Sequence, residues 1–313
     1  MLYAAGMFLA MLIEAVFGWP NALYDRMGHP VTWIGALIDR CDTRFNRAAE
    51  PDWLRRSFGV AVMLGICLLV WVTMVLVTWS LPGGWLGLLL TGVIGWPLVA
   101  TRSLYDHVRA VALPLARGDL PRAREAVAMI VGRDPERLNS AGVARAALES
   151  LAESTSDGVV APLFWGVILG LPGIAVYKAI NTMDSMIGHL SLRHAAFGWA
   201  AARVDDLVNL VPARLTGLLF AAVSGHWVAS VACMRRDARK HRSPNAGWPE
   251  AAMAGALGVR LSGPRVYDGQ MSAEAWVNEA GADPTALDLG RGLDLYIKAM
   301  AVVAGIMLVV AVL

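Results

Sequence analysis

Residues 57–101 read SFGVAVMLGICLLVWVTMVLVTWSLPGGWLGLLLTGVIGWPLVAT, a stretch that contains no Asp, Glu, Lys, Arg or His. A helix needs roughly 20 apolar residues to cross a bilayer, so this stretch is long enough for two crossings. The LPGG sequence at residues 81–84 supplies a turn between them. The stretch therefore predicts two membrane-spanning helices joined by a short turn.

The rest of the chain extends this pattern. Its 313 residues are 57% hydrophobic and 17% charged, and the mean hydropathy of +0.52 exceeds that of soluble globular proteins. Apolar segments occur at about 1–19, 57–79, 84–101, 158–177, 210–233 and 295–313. The first lacks a basic start and a cleavage site and is expected to be a retained helix. We predict an all-α, polytopic integral membrane protein with about four to six transmembrane or re-entrant helices.

Basic residues suggest how these helices are oriented. Six Lys or Arg side chains lie between the first two segments, none lies in the turn at 81–84, and eight lie between Arg102 and Arg145. The positive-inside rule then places the N-terminus outside. Basic residues on both sides of the fifth segment conflict with one crossing. We therefore expect one or both of two segments to be re-entrant or interfacial: segment four, which carries Leu-Pro-Gly at 171–173, and segment five, which carries Pro212, Arg214 and His226.

Two polar stretches separate the apolar segments. We expect one membrane-embedded domain over 1–313, with a cytosolic amphipathic helical insertion at 102–156 and a cytosolic loop-rich insertion at 234–294. Breaks in the first are expected at 118–119, 132–135 and 142. The expected location is the inner membrane, with the active site facing the cytosol.

Absent motifs narrow the functional class. The chain has only three lysines and no GxxxxGK[ST] loop, and it lacks GxGxxG, HExxH and GxSxG. These absences argue against P-loop nucleotide binding, Rossmann dehydrogenases, zinc proteases and α/β-hydrolases. The basic loops are mixed with acids and flank spans, which argues against nucleic-acid binding.

The densest polar cluster runs from Glu149 to Gly158. Spacing of four places Glu149, Glu153 and Asp157 along one helix stripe, and such carboxylates suit Mg²⁺ held with substrate phosphates. Two alternatives remain open. In one, the carboxylates serve a metal and phosphates; in the other, Arg145 pairs with Glu149 while residues 154–157 cap a helix that begins near Gly158. Such a helix start would offer free amides to a phosphate.

A second cluster, residues 177–189, places polar groups beside the fourth apolar segment, where they are costly unless they are paired or functional. Its members are Lys178, Asn181, Thr182, Asp184 and Ser185. Lysine at a helix end commonly extends its ammonium to the headgroups, so that alternative stays open for Lys178.

Three further groups complete the candidates. Asp205, Asp206 and Asn209 are spaced for one helical turn and suit a metal or phosphate site, but also an ordinary charged helix start. Residues 242–250 form a loop fixed by Pro and Gly, and such loops commonly carry binding residues. Turns follow the first segment at 18–21 and 28–31, where His29 is more typical of a hydrogen-bonded turn than of a ligand.

Taken in order, these clusters resemble the adenosylcobinamide-phosphate synthase family of the cobalamin pathway, also called cobyric acid aminopropanol ligase. The resemblance covers nearly the whole chain. It is carried by ESTSDGVVAPLFW at 153–165, GLPG at 170–173, YKAINTMDSM at 177–186 and SPNAGWPEAAMAG at 243–255. One departure lies near the N-terminus, where the family usually has a carboxylate followed by Gly-Asp-Pro and this chain has Glu14 followed by Gly18-Trp19-Pro20.

The resemblance implies an ATP-dependent amide ligation in which a corrinoid propionate, activated as an acyl phosphate, reacts with aminopropanol or its O-phosphate. ATP and Mg²⁺ are the implied cofactors. On this hypothesis the catalytic residues are Asp157, Lys178 and Asp184. The metal candidates are Glu153, Asp157, Asp184 and Asp205. The candidates for binding substrate or nucleotide are Ser154, Thr155, Ser156, Asn181, Thr182, Ser185, Asn209, Arg214, Ser243, Asn245 and His29.

This mechanism requires the clusters to converge on one pocket at the inner rim of the bilayer. A homo-oligomer and other late cobalamin-pathway enzymes are candidate partners, besides the corrinoid and amine substrates and the lipid bilayer.

Two other functional classes stay open. One is a transporter whose path is lined by Glu14, Lys178, Asp184 and Arg214. The other is a noncatalytic membrane scaffold for corrinoid enzymes.

Overall fold

The computed structural model of the chain is almost entirely helical, which confirms the predicted fold class. It describes residues 2–131, 135–189, 191–267, 270–272 and 274–313. The break predicted at 132–135 lies largely outside the described residues, since 132–134 are not among them.

Within the described residues, four helices are long and apolar enough to cross a membrane. They are Asp52–Ser80, Gly84–Ala116, Ser140–Ile187 and Ala286–Val312. The number rises to six if each of two bent pairs of shorter helices forms one span. The first pair is Tyr3–Phe17 with Ala22–Phe45, and the second is Trp199–Val208 with Leu210–Val223. The four to six spans predicted from the sequence are therefore confirmed, and the helices are those of a multi-pass membrane protein.

The chain divides into two compact units, of which unit 1 comprises residues 1–100, 161–209 and 306–313. Its elements are α1 (Leu2–Phe17), α2 (Asn21–Met27), α3 (Pro30–Phe45), α4 (Asp52–Ser80), α5 (Gly84–Gly95), a 3₁₀ turn (Trp96–Leu98), α9 (Ala161–Ile187) and α10 (Trp199–Val208). Its core joins α3, α4, α9 and α10 around Ile38, Met63, Met183 and Phe197. The outer face of α4 exposes Leu64, Leu68, Leu69, Leu76 and Trp79, as expected of a surface that contacts lipid.

Helix α9 folds back on itself at Gly170, whose backbone is not helical (φ 68°, ψ −153°). A Cβ added at Gly166 would lie 3.3 Å from the Cβ of Ile174, and one at Gly173 would collide with the carbonyl oxygen of Trp165. Residues eight apart would be about 12 Å apart along a straight helix. Residues 161–169 and 171–187 therefore form the two arms of a hairpin, and the second arm is shorter than a full crossing. The turn lies one residue before the predicted Leu-Pro-Gly break, and the re-entrant insertion of segment four in the membrane stays a prediction.

Unit 2 comprises residues 101–160 and 210–305. Its elements are α6 (Thr101–Ala116), α7 (Leu120–Ala128), α8 (Ser140–Thr155), a π-helical turn (Ser156–Val160), α11 (Leu210–Val223), α12 (Trp227–Asp237), a 3₁₀ turn (Ala238–Lys240), α13 (Gly247–Leu257) and most of α14 (Ala286–Val312). Helix α13 is buried along nearly its whole length. Its small residues permit this, since a Cβ added at Gly255 would lie 2.7 Å from the carbonyl oxygen of Ala229 in α12.

Short strands follow α13. Strand β1 (Leu261–Ser262) pairs with β4 (Trp276–Val277), and β2 (Arg265–Tyr267) pairs with β3 (Gln270–Ser272), both antiparallel. Strands of two or three residues are too short to show an alternating pattern, which is why the sequence did not predict them. Both polar stretches, 102–156 and 234–294, belong to unit 2. Their assignment as separate cytosolic insertions in a single domain stays a prediction.

Candidate active site

A buried polar chain in unit 1 links the second arm of α9 to α10. The Tyr177 hydroxyl donates a hydrogen bond to Asn209 Oδ1 at 2.9 Å, and Asn209 Nδ2 donates to Asp205 Oδ2 at 3.0 Å. All three side chains are at least nine-tenths buried. Asp205 and Asn209 lie one helical turn apart, as their spacing predicted, and the tyrosine fixes the orientation of the amide between them.

The second oxygen of Asp205 is incompletely satisfied. Asp205 Oδ1 is buried and has no hydrogen-bond partner among the described residues, although the Asn181 side chain faces the carboxylate. Asp184 and Asp206 lie close enough to interact electrostatically with it. A buried carboxylate among like charges is costly unless a cation or a proton completes its surroundings. This group therefore has the character of a cation site.

The donor set suits Mg²⁺, whose protein ligands are typically one or two carboxylates beside water and substrate phosphates. No group of three or more His, Cys, Asp or Glu side chains in the described part of the chain is arranged to hold a metal ion by itself. Asp184 and Asp205 fit a Mg²⁺ that shares its ligands with a nucleotide. The assignment of the metal to Glu153, Asp157, Asp184 and Asp205 stays a prediction.

Gly188, which was not among the predicted site residues, provides the space for Asp184. Its N–H donates to the Asp184 carbonyl oxygen at 2.7 Å. A Cβ added at Gly188 would lie 2.6 Å from that oxygen and would overlap the Asp184 Oδ1 atom. The spacing of four between Asp and Gly was visible in the sequence, but the overlap depends on the side-chain rotamer of Asp184.

The two hydroxyls of this arm bond to their own helix. Thr182 Oγ1 donates to the Lys178 carbonyl at 2.7 Å, and Ser185 Oγ donates to the Asn181 carbonyl at 2.9 Å. Each hydroxyl hydrogen is thereby used, so in this conformation the oxygens act toward a ligand only as acceptors. Their predicted role with phosphate would require the hydroxyls to rotate.

Lys178 is half-buried in the middle of the 171–187 arm and lies close enough to His29 to interact with it electrostatically. His29 caps α3, because its Nδ1 accepts from the Val31 N–H at 3.2 Å and its own N–H donates to Thr32 Oγ1. The Trp19 ring lies edge-on to the imidazole, with 4.8 Å between centroids. His29 is thus a hydrogen-bonded turn residue, as its sequence context favoured, and it brings the first turns toward Lys178.

The expected helix start near Gly158 is wrong. Helix α8 passes through the π-helical turn into α9 without a break, so no free amides are presented there. The residues expected to cap a new helix bond within the existing one, as Thr155 Oγ1 donates to the Leu151 carbonyl at 2.6 Å. The Ser156 hydroxyl oxygen is buried without a partner among the described residues. Single π-helical turns are frequent at functional sites.

The three carboxylates predicted on one stripe have different surroundings. Glu149 is buried and accepts a hydrogen bond from the Ser262 N–H at 2.7 Å. Glu153 is exposed, and Asp157 is half-buried within the π-helical turn, near Ser154, which is also half-buried. Arg145 forms an ion pair with Asp283. Glu149 is therefore a structural carboxylate, and Glu153 and Asp157 remain the candidates for chemistry in this segment.

In unit 2 the structure brings Arg214, Ser243 and Asn245 together, although 31 residues separate the first from the last. Arg214 Nη1 donates to Asn245 Oδ1 at 3.1 Å, and its guanidinium carbon lies 4.7 Å from the centroid of the Trp248 ring. Ser243 Oγ accepts from the N–H groups of Asn245 and Ala246, each at 3.2 Å. These bonds fix the loop and hold a cationic guanidinium beside it.

A buried network behind this loop was not predicted from the sequence. Glu250 Oε2 accepts from Ser262 Oγ at 3.1 Å, and Glu250 Oε1 lies 3.5 Å from His241 Nε2. His241 Nδ1 in turn accepts from the Ser243 N–H at 3.1 Å. A glutamate in the Ala-rich sequence of α13 was the available signal, because a charged residue on a fully buried helix needs partners.

Asp237 forms a separate structural cluster. Burial raises the pKa of this carboxyl group, but hydrogen bonds from Arg236, Lys240 and the Asn278 N–H outweigh it and hold the pKa well below its ordinary value. Arg236 Nη2 and Lys240 Nζ lie 2.7 and 2.8 Å from the carboxylate. The carboxylate is therefore ionised and fully paired, which indicates a role in stability.

The candidates fall into both units. Lys178, Asn181, Thr182, Asp184, Ser185, Asp205, Asn209 and His29 lie in unit 1, and Glu153, Ser154, Thr155, Ser156, Asp157, Arg214, Ser243 and Asn245 lie in unit 2. Within each unit the structure joins residues from distant parts of the sequence. The convergence of both sets on one pocket stays a prediction.

Comparison with known proteins identifies the family. The family model described as CobD/Cbib protein matches residues 7–296. The cobalamin biosynthesis protein CobD of Rhodobacter capsulatus is 59% identical over 311 residues, which cover 99% of this chain and 98% of the relative. Those of a Sinorhizobium species and of Brucella suis are 47% and 43% identical, with 97% and 96% of this chain and 96% and 94% of the relatives covered. No solved structure matches the chain significantly. The family expected from the motifs is confirmed: the chain belongs to the CobD/Cbib family of cobalamin biosynthesis proteins.

Proposed function

We propose that the protein is an ATP-dependent ligase that joins a carboxyl group of adenosylcobyric acid to the amine of aminopropanol or its O-phosphate. In the first step a carboxylate oxygen attacks the γ-phosphorus of ATP, giving an acyl phosphate and ADP. In the second the amine attacks the acyl carbon, inorganic phosphate leaves, a proton is lost from nitrogen and an amide forms. The relationship to proteins of cobalamin biosynthesis supports the pathway, and the chemistry of unit 1 supports the reaction type.

The observation that carries the proposal is the polar group formed by the second arm of α9 and α10. It combines the amides of Asn181 and Asn209 with the neighbouring carboxylates of Asp184 and Asp205, within otherwise apolar helices. Lys178 lies three residues before Asn181, one turn earlier on the same arm. A structural ion pair would need one carboxylate per cation. Asp206 has such a cation in Arg203, whereas one buried oxygen of Asp205 has no hydrogen-bond partner among the described residues. An unpartnered carboxylate oxygen beside a second carboxylate matches a site completed by a metal–nucleotide complex.

Each residue has a proposed role in this reaction. Asp184 and Asp205 would hold Mg²⁺, which when bound neutralises triphosphate oxygens. Lys178 would stabilise the charge on the phosphoryl group during transfer. The Asn181 amide would orient a phosphate oxygen, while Tyr177 and Asn209 keep the Asp205 carboxylate in place.

An acyl phosphate is hydrolysed readily, so the site has to exclude water until the amine attacks. The apolar arms of the α9 hairpin provide such surroundings.

Within unit 2, Arg214, Ser243 and Asn245 would bind an anionic group of a substrate, and Asp157 with Glu153 would contribute to metal binding. We also propose that the active site faces the cytosol at the inner membrane, because ATP is supplied there, and that the protein assembles with other corrinoid enzymes or with itself.

The proposal is tested with the purified protein in detergent, supplied with ATP, Mg²⁺, adenosylcobyric acid and aminopropanol or its O-phosphate. We expect amide, ADP and inorganic phosphate in equal amounts, and ADP formation that depends on both other substrates. Lys178→Met should abolish product formation, whereas Lys240→Met, which removes a lysine from the Asp237 cluster, should preserve it. Formation of AMP and pyrophosphate would contradict the acyl-phosphate route. Movement of corrinoid across vesicles without ATP turnover would favour a transporter.

A further inference from the structure

A cavity of about 140 Å³ lies in unit 2 between the end of α11, the end of α13 and the N-terminal part of α14. Its apolar floor is formed by Leu257 and Leu295, and its rim carries His226, Arg291, Asp294 and Lys298. The volume equals the liquid volume of about five water molecules. It therefore has the size to hold a small molecule or a lipid headgroup.

The rim combines both signs of charge. Arg291, Asp294 and Lys298 are spaced by three and four residues and so lie along one face of α14. Arg291 Nη1 donates to the Leu257 carbonyl at 3.3 Å and to Asp288 Oδ1 at 3.0 Å, which fixes the guanidinium at the cavity edge. The His226 turn is held by Ser224, whose Oγ accepts from the His226 N–H at 2.9 Å.

Three ionisable groups of this rim have no partner within the described part of the chain. The imidazole of His226, the carboxylate of Asp294 and the ammonium of Lys298 make no hydrogen bond or ion pair there. Asp294 and Lys298 are one turn apart and have the spacing of a helix ion pair, yet they do not form one. Both charges stay available to a ligand in the cavity.

We propose that this cavity binds a 2-aminoalkyl phosphate, with Lys298, Arg291 and His226 around the phosphate and Asp294 beside the ammonium. The identity of the free ligand rests on the proposed function, because the O-phosphate of aminopropanol is such a molecule. The same chemistry occurs in the headgroup of an ethanolamine phospholipid. Residues 299–313 are uncharged, so Lys298 begins the apolar part of α14, where lysine commonly meets lipid headgroups.

Equilibrium dialysis of the purified protein in detergent with radiolabelled O-phosphoethanolamine tests the site without ATP or corrinoid. We expect saturable binding. Asp294→Asn should weaken it roughly three- to fivefold, the effect of losing one exposed charge pair, and should leave the binding of inorganic phosphate unchanged or tighter. Lys298→Gln should weaken the binding of both probes. Glu125→Gln and Arg122→Gln, matched charge changes on exposed positions of α7, should alter neither.

Nanodiscs separate the two sources of the ligand. If a lipid headgroup occupies the cavity, soluble O-phosphoethanolamine will bind in phosphatidylglycerol discs and lose that binding in phosphatidylethanolamine discs. If the soluble molecule is the ligand, it will bind equally in both. Absence of saturable binding in detergent and in both kinds of disc, or equal binding by wild type, Asp294→Asn and Lys298→Gln, would overturn the proposal. Because no ligation is measured, a failure of the ligase assignment would leave this outcome unaffected.

Discussion

Substitution of Gly188 by alanine should disable ligation through the position of Asp184. The added Cβ would lie 2.6 Å from the Asp184 carbonyl oxygen, where ordinary contact begins near 3.4 Å, and would also overlap the Asp184 carboxylate. The difference between these two distances requires the backbone of Gly188 or Asp184 to move by about 0.8 Å, and the Asp184 side chain must shift as well. A misplacement of about 1 Å in a positioning group can cost on the order of 100-fold in rate. We therefore expect kcat/KM to fall about 100-fold, which equals about 2.7 kcal/mol.

The assay follows amide formation and thermal unfolding of each purified variant. Gly65→Ala is the matched control, since it lies in the spanning helix α4 of the same unit and an added Cβ meets nothing within 4 Å. This control should keep full activity. A Mg²⁺ titration should show that Gly188→Ala requires more metal, because the displaced carboxylate is a proposed ligand. Activity of Gly188→Ala within about threefold of wild type would refute the reasoning.

Three further variants test other parts of the account. Tyr177→Phe removes the bond to Asn209 Oδ1 and should destabilise the protein by about 1–3 kcal/mol, measured by thermal unfolding; an unchanged Tm would show that the buried chain is not stabilising. Asp157→Asn should abolish ligation while the protein still inserts, and retained activity would remove Asp157 from the site. Asp237 has a folded-state pKa below its ordinary value of 3.8, so its stabilisation is present above about pH 4 and is lost as the pH falls through the folded-state pKa. Asp237→Asn should therefore lower Tm at pH 7 and flatten the loss of Tm on acidification to pH 3, and equal acid sensitivity would contradict this.

Local patterns predicted much of the fold because they act over a few residues. The uncharged stretch at 57–101 predicted the spanning helix α4 and the start of the second span, Gly84–Ala116, which begins with α5. The Leu-Pro-Gly sequence predicted the break in α9 to within one residue of Gly170, since Pro lacks a backbone N–H donor and Gly readily adopts non-helical backbone angles. The spacing of Asp205 and Asn209 likewise predicted their hydrogen bond across one helical turn.

Other features could not be predicted from the sequence for two reasons. Some depend on contacts between distant segments, and others on a choice between two local structures that the same residues favour equally. Ser154 to Asp157 have the composition of a helix cap, but a helix already formed can use the same hydroxyls, and the apolar residues that follow continue it. The bonds of Arg214 to Asn245 and of Glu250 to Ser262 depend on how α11, α13 and β1 pack. No local pattern specifies that packing.

The most direct test of the proposed ligase follows an oxygen atom. Adenosylcobyric acid labelled with ¹⁸O in the reacting carboxylate is incubated with the protein, ATP, Mg²⁺ and the amine, and the phosphate released is analysed by mass spectrometry. An acyl phosphate predicts one ¹⁸O atom in inorganic phosphate for each amide formed. Amide formation with unlabelled phosphate, or with the label in AMP, would contradict the account.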